Sequence, residues 1–329
     1  MIRQRRLTVA HCASNSPHTS RGMAVISALL VVAAAAVIAA GMLERQTTQI
    51  RTLESETARV QARSLLQGGI DWARIILRAD ARRHATTRGN QIWATPITDM
   101  LVSQEGDDQQ AVFSGRVEDE LSKFNLQNLA RNGQPDPQGI AALTRLLQSL
   151  RLDTQMVAPI AQRMAMAQPR KAEPSSEAGS AGSAGSGEVI AAQAPGLHSV
   201  TGLRAFGLDD PTIESLRPYL TVLPVRTPLN VNTASAEVIA ASLAEVSLAQ
   251  VIALVDQRDR GQYFNNPADF RNRLNTPDAD IADADLAVTS PWFSVTGTVR
   301  IGQAHVEMQA LLRRDGDNIP AVIWAMETL

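Results

Sequence analysis

MAVISALLVVAAAAVIAAGML, residues Met23–Leu43, carries no charge along its whole length. As a helix rising about 1.5 Å per residue it is about 31 Å long, which matches the hydrocarbon core of a bilayer. Ahead of it, residues 1–22 contain Arg3, Arg5, Arg6 and Arg21 and no acid, while Glu44 stands directly behind it. That asymmetry orients the segment with its N-terminus in the cytoplasm. Two ordinary readings are a secretory signal cut after a small-residue site such as Ala34–Ala36 or Ile38–Ala40, and a plain single-pass anchor.

The remaining composition excludes several classes of function. The 329 residues hold about two domains beyond an anchor. A net charge of −2 lacks the basic excess of a nucleic-acid binder, and 4% aromatic residues provide few stacking surfaces. Cys12 is the only cysteine and lies ahead of the apolar run. If that leader is removed, no disulfide, CxxC zinc site or cysteine nucleophile remains.

Outward from the run, no proline occurs between Met23 and Thr95. Ile50, Leu53 and Val60, then Leu66, Ile70, Ala73 and Leu77, recur at helical spacing, with Arg51, Glu54, Arg63 and Asp71 on other faces. This predicts one continuous helix. Gly68 and Gly69 each cost a helix interior about 1 kcal/mol, so the pair marks a close packing contact or a kink. Ala85–Gln110 is polar, contains Gly89, Pro96 and Gly106, and reads as a connection. Strands are predicted at Ala111–Val117, Trp292–Ile301, His305–Arg314 and Ala321–Met326, with turns at Gly302 and Asp315–Asn318.

The roughly 170 residues between the first of these strands and the last three read as mostly helical, with a worn duplication. Phe124–Leu129 (FNLQNL) resembles Leu229–Ala234 (LNVNTA), and each precedes an amphipathic helix, Ile140–Leu152 or Ala236–Leu243. A second shared element is Ser199–Leu203 (SVTGL) and Asn266–Phe270 (NPADF). The first copy is lengthened by the low-complexity tract 168–196, a flexible Gly/Ser loop.

Motifs with chemical potential are few. Thr233 or Ser235 can cap the helix after Asn230–Ser235 (NVNTAS), a string worded like helix-hairpin-helix modules that hold DNA backbone. Such modules present a glycine hairpin to phosphate. Ala244–Leu248 offers none, and Arg258, Arg260, Arg271 and Arg273 alternate with Asp256, Asp259 and Asp269, so the string reads as structural. Asp278, Asp280, Asp283 and Asp285 lack the Gly and terminal Glu of a calcium loop and read as helix-start acids. Glu118, Asp119 and Glu120 read as a solvated strand edge. His11, His18, His84, His198 and His305 have no partner at ligand spacing, and no GxSxG, HExxH or phosphate loop occurs. No catalytic residue is assigned.

A basic leader ending Arg21-Gly22 directly ahead of Met23 and the apolar run resembles a type IV prepilin. Ala62–Leu77 is similar to the stretch where the pilin helix joins its head. With Ser27 fifth from Met23, where most pilins carry Glu, the chain resembles the K-type minor pseudopilins of type II secretion. The helical insert and NVNTAS extend that resemblance over essentially the whole chain.

The resemblance implies an α+β fold: a leader at 1–22, a transmembrane segment at 23–43 and a periplasmic stalk helix at 44–84. A pilin-like head follows at 85–120 and 288–329, around a helical insert at 121–287. It implies cleavage between Gly22 and Met23 by prepilin peptidase, N-methylation of Met23, and Ser27 as the position that specifies the filament tip. The implied partners are the I-type and J-type minor pseudopilins, the major pseudopilin and the inner membrane, with a periplasmic head, no enzymatic activity and no nucleic acid. The family also implies calcium at an Asp-rich stretch. Here Met164–Glu173 and the Gly/Ser tract stand in its place, and no ligand is carried over. Two alternatives remain: a minor pilin of a type IV pilus or DNA-uptake system, and a membrane-tethered helix-hairpin-helix DNA-binding protein.

Overall fold

Helix α1 runs from Ser20 to Arg83 without a proline, and its last turn carries Arg82 and Arg83, which suit the negative end of the helix dipole. The computed structural model describes residues 20–102, 110–171, 189–244, 246–274 and 285–328. Most of the leader, residues 172–188 of the Gly/Ser tract, Glu245, and Asp278, Asp280 and Asp283 lie outside the described residues. The chain divides into two compact units, Met1–Ala58 and Arg59–Leu329, and α1 contributes to both.

In the first unit α1 is long and apolar enough to cross a membrane. Its side chains from Val25 to Leu43 are exposed, as an anchor requires. Beyond them Thr47, Thr48, Thr52 and Thr57 each donate their hydroxyl to the carbonyl four residues back, so these polar residues leave no unmet donor in the helix.

In the second unit α1 buries a stripe of Ala62, Leu66, Ile70, Ala73 and Leu77. The stripe faces an antiparallel sheet of β1 (Ile97–Val102), β2 (Ala111–Asp119), β3 (Trp292–Ile301), β4 (Ala304–Arg313) and β5 (Ala321–Thr328), arranged in that order. Alternation places Phe293, Val295, Val299 and Ile301 on one buried face of β3, while Trp292 and Ser294 are buried on the other. Phe293 meets Trp93 edge to face at 5.2 Å between ring centroids. The edge strand β1 falls where the sequence predicts a connection. Its register shifts between Ile97 and Met100, and Asp99 has φ of 48°. That bulge destroys the period-two pattern by which a strand is recognised. Two strands therefore precede the insert, not one.

The insert occupies the connection between β2 and β3. Its helices are α2 (Pro137–Ser149), α3 (Val157–Met166), α4 (Asp210–Leu216), α5 (Ala236–Ser242), α6 (Leu248–Asp259) and α7 (Pro267–Leu274). The duplication is visible in the backbone. Phe124–Asn125 pairs in parallel with Leu220–Thr221, and Leu229–Asn230 pairs in parallel with Leu286–Ala287. Each copy thus begins and ends on its own two-residue bridge. The second shared element is a 3-10 helix, Val200–Phe206, in the first copy and α7 in the second. One apolar core, from Leu126 and Leu146 to Ile239 and Phe270, joins both copies.

Candidate assembly interface

The anchor is the first part of the site. Between Met23 and Leu43 the chain has no carboxylate, and Ser27 lies four residues after Met23. An unpaired charge in lipid is costly whichever its sign.

The seat of α1 on the sheet is the second part. A methyl group added to Gly69 would lie 2.8 Å from the Phe113 ring, and one on Gly297 would lie 2.9 Å from Leu66. Gly69 is therefore the close packing contact that the Gly68-Gly69 pair announces. Around Gly68 nothing beyond its chain neighbours and its own helix backbone lies within 4 Å of the added methyl.

The third part is a buried polar joint where the insert leaves and rejoins the head. Asp119, at the end of β2, is 3% exposed and Glu120 6%. This corrects the reading of a solvated edge at Asp119 and Glu120, while the Glu118 side chain is 39% exposed. The Asp119 carboxylate accepts from Asn230 Nδ2 at 2.8 Å, Thr233 Oγ1 at 2.6 Å and the Leu121 amide at 2.9 Å. Asn230 Nδ2 also donates to the Thr87 carbonyl at 3.2 Å. Arg314 donates to Thr87 Oγ1 and the Ser290 carbonyl and pairs with Asp80 at 3.3 Å.

Burial pushes the Asp119 carboxyl above its ordinary pKa, against the hydrogen bonds from Ser290, Thr233, Asn230 and Leu121. Burial likewise pushes Arg314 down, with Asp80 opposing. Next to the joint, Lys123 pairs with Glu118 and Glu120, each at 2.9 Å. Burial acts to lower the Lys123 pKa, but Glu120 and Glu118 outweigh it and hold the amine above its ordinary range. Burial would also raise Glu118, yet Lys123 and Arg116 hold it below the usual value.

The NVNTAS string turns inward. Asn232 exchanges two hydrogen bonds with the Phe264 backbone, at 2.8 and 2.9 Å, and Ser235 caps α5. Arg258 is buried and donates to the Val231 and Ala234 carbonyls, while Arg273 pairs with Asp269 and lies over the Phe264 ring. These arginines brace the hairpin, and no phosphate-facing row is formed by them. Among the described residues no cluster of His, Cys, Asp or Glu could hold a metal ion. Asp285 is described and exposed, and the other three acids of its run lie outside the described residues. His84 bonds Asp80 at 2.8 Å, which makes it part of the joint, and His11 and His18 lie outside the described residues.

Two models of the type II secretion system protein K match residues 122–225 and 229–290, together about half of the chain. The chain belongs to the type II secretion system protein K family. It is 29% identical to protein K of Pseudomonas aeruginosa over 304 residues, covering 90% of this chain and 89% of that one. It is 27% identical to protein K of Klebsiella pneumoniae, covering 91% and 94%, and 26% identical to that of Pectobacterium carotovorum subsp. carotovorum, covering 92% and 95%. Its fold is similar to that in the crystal structure of the GspK-GspI-GspJ complex from the type 2 secretion system of enterotoxigenic Escherichia coli. That match has a TM-score of 0.56 at 20% identity, over 87% of this chain and 99% of that one. A protein K is a minor pseudopilin, a structural subunit of the secretion pseudopilus, and α1 supplies the apolar anchor.

Proposed function

We propose that this subunit stands at the tip of the pseudopilus, where it starts filament assembly for the export of folded proteins across the outer membrane. The observation that carries the reading is Ser27 in an anchor without a carboxylate from Met23 to Leu43. A subunit joining beneath another brings a carboxylate to the amine above it, because an unpaired amine in lipid costs several kcal/mol. A chain lacking that acid has no such partner to offer and is suited to stand first. Its own N-terminal amine, created by cleavage between Gly22 and Met23 and methylated on Met23, is met by the acid of the next subunit. I-type and J-type minor pseudopilins are the partners, held through the N-terminal helices, with the major pseudopilin below. The arginine-rich leader keeps the N-terminus in the cytoplasm and puts the second unit in the periplasm.

Two measurements test this. Intact mass of the mature protein is expected to give a chain beginning at a singly methylated Met23, and a start near Gly41 refutes prepilin processing. In sheared pseudopili, antibody against the second unit is expected at one end only. Labelling along the shaft refutes the tip assignment.

A further inference from the structure

Helix α3 leads toward the Gly/Ser tract, and the chain returns from the tract beside the end of the same helix. Arg170–Lys171 pairs antiparallel with Val189–Ile190, which forms a two-residue neck at the base of the tract. The carbonyl of Met166, the last residue of α3, accepts the amides of Gln193 at 2.8 Å and Ala194 at 3.2 Å. Arg163, in the last turn of α3, donates Nε to the Pro195 carbonyl at 3.0 Å. Gln168 reaches the other way. Its Nε2 donates to the Ala130 carbonyl at 3.2 Å, and its Oε1 accepts the Gly133 amide at 3.3 Å. Ala130–Arg131 and Gln134–Pro135 are the arms of a hairpin turned by Asn132 and Gly133, both at positive φ. A methyl group on Gly133 would lie 2.5 Å from Arg170 Cβ, so the turn is packed directly on the neck.

The family implies calcium at this place in the chain, and the donor set of the neck does not fit it. Calcium takes about six to eight oxygen ligands, with carboxylates among them. Among the described residues, the oxygens that the neck presents already accept N–H groups: those of Met166, Pro195 and Ala130, and Gln168 Oε1. A cavity of about 390 Å³ opens beside the neck. Its polar lining is Arg170 with Gln134, Gln162, Gln168 and Gln193, and no acid lines it among the described residues. Arg163 and Arg170 add positive charge, which repels a cation.

We propose that Gln168 and Arg163 form a clasp that closes the first copy in place of an ion, so that the fold of this chain does not respond to calcium. Gln168 uses the donor and the acceptor of one amide to tie the end of α3 to the hairpin. Arg163 ties the returning chain to α3 and sets a cation at the negative end of that helix, where a metal ion would also be favoured. The two side chains thus replace both things a bound ion would supply, a crosslink and a positive charge.

The test measures hydrogen exchange by mass spectrometry on the full chain in detergent. Glu173, Glu177 and Glu188, the only acids between residues 167 and 196, are thereby present. The protein is stripped with chelator and compared with the same protein in about 10 mM calcium, above the affinity range of extracellular calcium modules. Protection of α3 and of residues 130–135 is expected to be the same in both. Gln168→Met keeps the bulk and removes both hydrogen bonds. It is expected to speed exchange about tenfold at the end of α3 and in the hairpin, with or without calcium, and to spare α5. Arg163→Met is expected to speed exchange over residues 191–196. Protection of the parent that rises with calcium overturns the proposal. So does a Gln168→Met variant that exchanges like the parent, that calcium restores, or that loses as much protection in α5 as in α3.

Discussion

Replacing Asp119 tests whether the head and insert are joined by the polar cluster or merely by the apolar surfaces around it. In Asp119→Ala the Leu121 amide loses its acceptor at 2.9 Å. Thr233 Oγ1 keeps only a 3.4 Å contact to the Asn230 carbonyl, and Asn230 Nδ2 keeps the Thr87 carbonyl at 3.2 Å. One orphaned amide and one weakened hydroxyl cost about 1–3 kcal/mol each, offset in part because a buried charge is gone. The net loss is about 2–4 kcal/mol, or roughly 4–16 °C in melting temperature. Trp72, Trp93, Trp292 and Trp324, the four tryptophans, all lie in the second unit, so fluorescence of the full chain in detergent follows that unit's unfolding.

The pH dependence sharpens the test, and its sign is fixed by burial. Asp119 has a raised pKa in the folded protein, so the fold holds its proton more tightly than the unfolded chain does. Its contribution to stability is fully present below the ordinary carboxylate pKa of about 3.9 and declines as pH rises through the raised value. Asp119→Asn lacks this dependence, so the parent's advantage over it narrows from acid toward neutral pH. A gap that widens with pH, or an unchanged melting temperature in Asp119→Ala, would refute the account of the joint.

Other substitutions probe the remaining contacts. Gly69→Ala places a methyl 2.8 Å from Phe113, so overpacking of about 1–3 kcal/mol opposes the roughly 1 kcal/mol helix gain. The variant is expected to melt lower, and Phe113→Leu to restore it. Lys123→Met strips Glu118 and Glu120 of their shared cation and is expected to destabilise by about 3 kcal/mol in denaturant unfolding, less when combined with Glu120→Gln. Ser247→Ala removes the capping box that Ser247 forms with Gln250 at the start of α6, for a loss of about 1 kcal/mol in the same assay.

What could be read from sequence followed the reach of each pattern. β3 was legible to its ends, because the residues from Phe293 to Ile301 alternate and Gly302 closes the turn. α5 was legible from Ser235, since a cap is a local device. β1 escaped because its bulge interrupts the alternation at Asp99. The joint escaped for a different reason. Glu118-Asp119-Glu120 looks solvated in isolation, and its burial depends on Asn230, 111 positions away, and on residues of the returning chain near Ser290. Arg314, just past the end of β4, shows nothing locally of its bonds to Thr87 and Asp80. The apolar run Met23–Leu43 is a property of the linear sequence alone, which is why the anchor was legible before any packing was known.

The duplicated insert explains why the joint lies where it does. The equivalent asparagines of the two copies, Asn125 and Asn230, both fold their own Oδ1 back onto the amide two residues on. They differ in where the side-chain Nδ2 goes. Asn125 donates to the Val225 carbonyl and Thr227 Oγ1, in the chain segment just ahead of the second copy. Asn230 donates to Asp119 and the Thr87 carbonyl, both in the head. The same residue thus ties copy one to copy two and copy two to the head. The first copy also has a hold of its own on the head, because Leu121 and Leu223 pack with Trp292 and Leu311. Loosening Asn230 therefore weakens the second copy's attachment first, and loosening Asn125 the first copy's. Hydrogen exchange of the two alanine variants separates these cases. Asn230→Ala is expected to raise exchange in α5 more than in α2, and Asn125→Ala in α2 more than in α5. Equal changes in the two helices, or the reverse order, would refute the assignment of one asparagine to each copy.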